Sequence, residues 1–315
     1  MDDLIGKIKA LKIDVLAESI WKEDINKLSI EKWLNNFETE TEKELVLKLL
    51  SQFMYFNVKE IRTCLNTMYE DLYKTPIIQE YRKETNSFNL EEYTNFFNHE
   101  LKKTRFVLLG NPSESSSLLL YFFRQENSLR KDLFCSLSEI KTIHEDIERV
   151  IIIDDLTASG SQAIKFIKEN VNDLKKDKIK FSYYVLFATT EAIDEIMKTI
   201  KSLEIISFEL KFIFKLDNTF KVCNEKSKYI DNKEEITLLK ENSETFYYDK
   251  FDFDYKEYGL KDKDSLKKYL KSCGFKDSQL LLGFFYNIPN NTIPIIWAES
   301  DEWTPIFKRY EKVYR

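Results

Sequence analysis

One stretch constrains the fold of this chain more than any other. Residues 149–162 read Arg-Val-Ile-Ile-Ile-Asp-Asp-Leu-Thr-Ala-Ser-Gly-Ser-Gln. Four apolar β-formers, Val150 to Ile153, run straight into two acids, Asp154 and Asp155, and then into a loop of small and hydroxyl-bearing residues containing Gly160. Ile164, Ile167, Val171 and Leu174 follow at helical spacing. A buried strand, a polar tip and a helix N-terminus in immediate succession predict half of a βαβ unit, and the carboxyl end of such a strand is where open sheets bind ligands. The backbone N–H groups of Ser159, Gly160, Ser161 and Gln162 would point at a phosphate placed there, helped by the hydroxyls and the helix dipole. The two carboxylates just upstream suit the vicinal hydroxyls of a ribose. The competing reading, a strand ending in a solvated acidic turn, has no use for a second acid followed by a glycine-bearing hydroxyl loop.

The same succession occurs earlier. Phe106 to Leu109 predicts a strand, Gly110 to Ser116 a loop, and Ser117 to Arg124 the opening of a helix. Ser113, Ser115 and Ser116 would offer hydroxyls and N–H groups to a second anion, or simply cap the helix in an ordinary serine-rich turn. No Gly-Lys-Ser/Thr follows, so this is not a Walker A loop. Phe181 to Ala188 predicts a third buried strand with a helix after it from Glu191, and Ile205 to Leu216 predicts a fourth. Residues 1 to 102 predict helices: Ile61, Cys64, Leu65, Met68 and Leu72 keep one apolar face, and Pro76 is expected to end that run. Leu45, Leu49 and Phe53 mark another helix, and Tyr93, Phe96, Phe97 and Leu101 a further one. The expected organisation is therefore a helical section over 1–102, acting as a cap or docking module, and an α/β core over 103–222. A charged insertion and C-terminal extension over 223–315 packs on that core. The 223–263 span reads as a lid or an insertion, and Leu266 to Cys273 as a short helix stopped by Gly274.

Composition removes several function classes. The chain has 315 residues, enough for a full core in one large or two modest domains. With 48 basic and 54 acidic residues the net charge is −6 and no block of like charge stands out. Nonspecific binding to a phosphate backbone is argued against, because that needs accumulated positive charge. No apolar run approaches the ~20 residues of a membrane span. The Met1-Asp2-Asp3 start has no signal-peptide character, so a cytoplasmic location is expected. Cys64, Cys135, Cys223 and Cys273 are dispersed, as reduced thiols would be. The only histidines, His99 and His144, sit in no nucleophile or metal motif and read as surface residues.

The order of residues 149–162 resembles the ribose-5-phosphate-binding motif of type I phosphoribosyltransferases, with Asp154 and Asp155 matching its acid pair and Ala158 to Gln162 its loop. Ala158 and Gln162 stand where hydroxyl residues are more usual. The run Gly283 to Trp297, with Trp303, Pro305 and Arg309 after it, is similar to the tail of a bacterial family called PRTase-CE. Trp33-Leu34-x-x-Phe37 and the serine-rich loop before Tyr121 fit that family's pattern. The resemblance implies an α/β fold with a parallel-sheet, type I phosphoribosyltransferase-like core, and an effector role in a bacterial antiviral conflict system. It also implies phosphoribosyl pyrophosphate (PRPP) or a related nucleotide as ligand, and Mg²⁺ as cofactor on Asp154 and Asp155. Phosphate would lie on residues 158–162, and pyrophosphate against Ser113, Ser115 and Ser116. Two readings of activity follow. One is a transferase or nucleotide hydrolase in which the acids orient ribose and take a proton; the other is a non-catalytic PRPP or nucleotide sensor that signals to a protein partner through the helical section. A pure scaffold would not need two anion-facing loops. The Pro289 to Pro294 loop reads either as a rigid turn or as lining for an acceptor pocket.

Overall fold

The structure is a computed structural model that describes residues 6–21, 25–109, 115–140, 147–174, 179–249, 261–262, 265 and 273–310. Its strands are β1 (Met54–Phe56), β2 (Thr104–Leu108), β3 (Arg149–Thr157), β4 (Lys180–Thr189), β5 (Phe208–Leu216) and β6 (Leu282–Phe284). The chain divides into two compact units, one of residues 59–216 and one of residues 1–58 with 217–315. This differs from the expected division at 102 and 222, for reasons that lie in what each helix face finds to pack against.

The 59–216 unit is built on a four-stranded sheet in the order β2-β3-β4-β5, parallel at every pairing. Parallel strands need crossover helices, which cover both faces and demand apolar side chains on each. The sequence Val150 to Ile153 answers that demand, and all four residues are buried. On one face Val150 and Ile152 join Phe181, Tyr183 and Val185 beneath Ala163 and Ile167 of helix Ser161–Glu169 and Ile196 and Ile200 of helix Thr190–Ser202. On the other, Phe106 meets the rings of Tyr73 at 5.5 Å and Phe123 at 5.0 Å, edge-on and tilted geometries favoured by ring quadrupoles.

Residues 58–85 form one continuous helical run, so Pro76 does not end it. Met68–Lys74 is wound as a π-helix, with the Thr75 N–H reaching back to the Glu70 carbonyl. The wider turn inserts a residue into the repeat. Ile61, Cys64, Leu65 and Met68 are buried as expected, Tyr69 is buried beside them, and one turn on the buried position is Tyr73 rather than Leu72. Pro76 has no N–H to offer the carbonyl of Leu72 four residues back. That carbonyl instead accepts the Tyr184 hydroxyl at 2.9 Å and the Lys211 amine at 3.0 Å. The helix Leu90–Lys102 carries His99 on its exposed side, as expected, while His144 lies outside the described residues.

In the second unit the early helices pack with the end of the chain. Thr39 and Glu42 close a capping box at the start of helix Glu40–Leu50. The indole N–H of Trp33 donates to the Ile295 carbonyl at 2.8 Å. Asn36 exchanges two hydrogen bonds with the backbone of Thr304, and Trp303 meets Phe37 edge-on. β1 pairs in parallel with β6. Sequence periodicity shows which face of a helix seeks burial but not its partner, and here the partner is more than 200 residues away. The Pro289–Pro294 segment is a rigid turn in which Thr292 N–H bonds the Pro289 carbonyl and Asn291 Nδ2 bonds Ser278 Oγ. Trp297 Nε1 bonds the Thr292 carbonyl at 2.8 Å. Cys223 and Cys273 are both buried thiols, with their sulfurs 3.5 Å apart. A helix, Lys233–Asp249, occupies part of the span read as a lid or insertion; residues 266–272 of the expected short helix lie outside the described residues.

Candidate functional site

Every parallel strand of the 59–216 unit points its carboxyl end the same way, so the ends of β2 and β3 share one edge of the sheet. Ser115 and Ser116 are the first residues of helix Ser115–Glu126 beyond β2, and Ser113 lies outside the described residues. The 158–162 loop follows β3 at the same edge.

Gly160 holds φ at +69°, a left-handed conformation that costs an L side chain but not glycine. It occupies the N-cap of helix Ser161–Glu169 and provides no side chain to cap it, while its carbonyl accepts the Ile164 N–H at 2.8 Å. The first-turn N–H groups of Gln162 and Ala163 are thus not claimed by a capping side chain, and the positive end of the helix dipole adds to their pull on an anion. A Cβ on residue 160 would meet the Ala192 carbonyl oxygen and Ile196 Cγ1 at 3.3 Å each. The loop is tied down from the next strand: Thr189 Oγ1 donates to the Ala158 carbonyl at 2.6 Å and accepts the Ala192 N–H at 3.1 Å. Ala158 is buried beneath this tie, which a larger residue would disturb, and Gln162 is exposed. Ser159 and Ser161 place their hydroxyls 3.0 Å apart.

The acid pair is asymmetric. Asp154 is 6% exposed. Its Oδ2 accepts the Tyr183 hydroxyl at 2.7 Å and its Oδ1 accepts the Asp155 N–H at 3.0 Å. Burial, and then the charge of Asp155, push the Asp154 carboxyl well above the usual carboxylate range, while the Tyr183 hydrogen bond pulls the other way. Burial and the neighbouring Asp154 charge raise the Tyr183 phenol in turn. Asp155 is partly exposed, and its Oδ1 accepts the Leu156 N–H at 2.7 Å. The sequence reading put both acids at the polar tip of the strand, but β3 runs on to Thr157 and holds them within it, Asp154 buried and Asp155 partly exposed.

Mg²⁺ is held by one or two carboxylates together with water and substrate phosphates, not by an all-protein cage. Asp155 fits that donor set as a single protein ligand. Asp154 does not, since it is buried and each of its oxygens already accepts a hydrogen bond. Among the described residues no group of three or more His, Cys, Asp or Glu converges on a metal position.

Sequence reasoning missed two members of this site, Tyr183 and Thr189. A tyrosine inside a buried strand needs a partner for its hydroxyl, and Thr189-Thr190 before a helical stretch is an N-cap signal. Either could have led to them. Among the described residues no helix is long and apolar enough to cross a membrane.

The family model PRTase-CE matches residues 30–309, most of the chain. Comparison with curated proteins gave no match.

Proposed function

This chain belongs to the PRTase-CE family, and from that premise we propose that its 59–216 unit binds a 5-phosphorylated ribose, PRPP or a related nucleotide. The observation that carries this reading is the glycine-started helix at Ser161, with no side-chain cap at its N-cap position, following the strand that carries the acid pair. In a type I phosphoribosyltransferase-like arrangement the 5-phosphate would rest on the N–H groups of the 158–162 loop. The hydroxyls of Ser159 and Ser161 would add contacts, and Asp155 would orient the ribose hydroxyls. The helix start after β2, with Ser115, Ser116 and the adjoining Ser113, would receive pyrophosphate at the same sheet edge. Each charge-assisted hydrogen bond contributes about 1.5–3 kcal/mol, so a loop with a few of them holds a phosphate without any side-chain cation.

The reaction this suits is transfer of, or hydrolysis at, the anomeric carbon as pyrophosphate leaves. Such a step asks the protein for positioning and charge stabilisation more than for covalent chemistry. Mg²⁺, when bound through Asp155 and the ligand's own oxygens, supplies neutralisation of the leaving group. In the cell we assign the protein to the cytoplasm as an effector of an antiviral system, restrained by a protein partner from that system.

Incubation of the purified protein with labelled PRPP and a nucleotide panel, with and without Mg²⁺, tests the activity. Release of pyrophosphate or of a ribosylated product that is lost in Asp155→Asn is the expected result. Turnover unaffected by that substitution would overturn the assignment. For the cellular role, expression of the wild type should slow growth and Asp155→Asn should not. Equal growth of the two, with and without phage challenge and neighbouring genes, rules the effector role out.

The engagement of Asp154 by Tyr183 favours one second reading, a PRPP or nucleotide sensor, because it leaves the site a single outward-facing carboxylate. Binding of PRPP without turnover under every condition of the panel would select it.

A further inference from the structure

We infer that Asp154 is a positioning residue for Asp155, and that Asp155 alone of the acid pair meets the ribose hydroxyls. The inference rests on the ribose-phosphate reading above and divides the roles within that site. Asp154 is buried and both its oxygens are engaged: Oδ2 is held by the Tyr183 hydroxyl at 2.7 Å and Oδ1 by the Asp155 N–H at 3.0 Å. A ribose hydroxyl could displace the phenol only by leaving a side chain that is 1% exposed without its acceptor, and an orphaned buried donor is costly. The Asp155 N–H is the more telling contact. By holding that amide, Asp154 fixes the peptide from which the Asp155 side chain departs, and Tyr183 on β4 anchors Asp154 in turn. The result is a relay of orientation from one strand to the next, Tyr183 to Asp154 to the Asp155 backbone, ending in a partly exposed carboxylate. Preorganised groups at functional sites depend on such supporting contacts.

An asparagine can keep both contacts, its carbonyl oxygen accepting the Asp155 N–H and its amide meeting the tyrosine oxygen. An alanine keeps neither. The test is calorimetric titration of the full chain with ribose 5-phosphate and with inorganic phosphate, the readout being the ratio of the two affinities. Asp155→Asn and Asp154→Ala are expected to lower that ratio by about tenfold or more, the loss of one charge-assisted hydrogen bond, while leaving affinity for inorganic phosphate unchanged. Asp154→Asn should restore the ratio to within about twofold of wild type. Tyr183→Phe covers the case in which Asp154→Ala does not fold: a positioning role lowers the ratio, whereas a direct ribose contact leaves it unchanged or raises it by releasing the carboxylate. A ratio lost equally in Asp154→Asn and Asp155→Asn, or kept in Asp154→Ala, overturns the inference while the ribose reading stands. A wild type that does not prefer ribose 5-phosphate to inorganic phosphate overturns both.

Discussion

The carbonyl of Leu72 accepts the hydroxyl of Tyr184 at 2.9 Å across the interface between the π-helical turn and the sheet. The bond exists because Pro76 lacks the N–H that a regular helix would aim at that carbonyl. The proline leaves the helical run unbroken and frees one of its carbonyls for a bond to β4. Tyr184→Phe should therefore lower stability by about 1 kcal/mol, the usual net value of such a bond. In a Pro76→Ala background, where an amide is again present, the same substitution should cost half as much or less. Denaturant unfolding of the four proteins of this cycle measures the difference. An identical cost in both backgrounds would break the link between the proline and the tyrosine.

Gly160→Val should abolish ribose 5-phosphate binding, whereas Ser161→Ala should weaken it only severalfold. Valine at φ +69° is strained, and its Cβ would press on the Ala192 carbonyl and Ile196 at 3.3 Å. Loss of the Ser161 hydroxyl leaves the backbone cradle in place. Equal affinities of the two variants in a calorimetric titration would mean that the backbone is not what holds the phosphate.

Glu100 gives a stability signature at low pH. Its buried carboxylate pairs with Arg149 and lies 3.5 Å from Lys103. Burial alone would raise its pKa, but these two cations outweigh burial and lower it. A depressed carboxylate contributes stability that is fully present above its unfolded pKa, about 4.3, and that disappears as pH falls through the folded value. Glu100→Gln should cost on the order of 2 kcal/mol at neutral pH. The gap in melting temperature between the two proteins should be flat from pH 6 to 8 and close below about pH 4.

Asp154 should behave in the opposite sense. With its carboxyl raised by burial and by Asp155, its contribution is fully present below the unfolded value of about 3.9 and is lost as pH rises through the folded one. Wild type should therefore lose ground to Asp154→Asn as the pH is raised from about 4 toward neutrality. A melting-temperature difference that is constant with pH would show that Asp154 is charged in the folded protein.

The sequence was most legible where local physics suffices. Val150 to Ile153 announced a strand buried on both faces, and the glycine and hydroxyls beyond it announced a loop and the start of a helix. These are short-range facts: β-formers in an unbroken run, a glycine where the backbone must turn left-handed, and a helix stripe immediately after. The helical face from Ile61 to Met68 was legible for the same reason, and it failed one turn later, where the π-helix carried the face to Tyr73.

What the sequence by itself determined is therefore the strand, the loop, the helix start and the identity of the two acids, because each depends on residues within one or two turns of chain. Tertiary structure alone decided that the first 58 residues pack with the last hundred, that Leu72 finds Tyr184, and that Asp154 and Asp155 have unequal surroundings. An apolar stripe records a need for burial without naming the surface that meets it. Two adjacent carboxylates look alike until a tyrosine from the neighbouring strand, 29 positions on, takes hold of one of them.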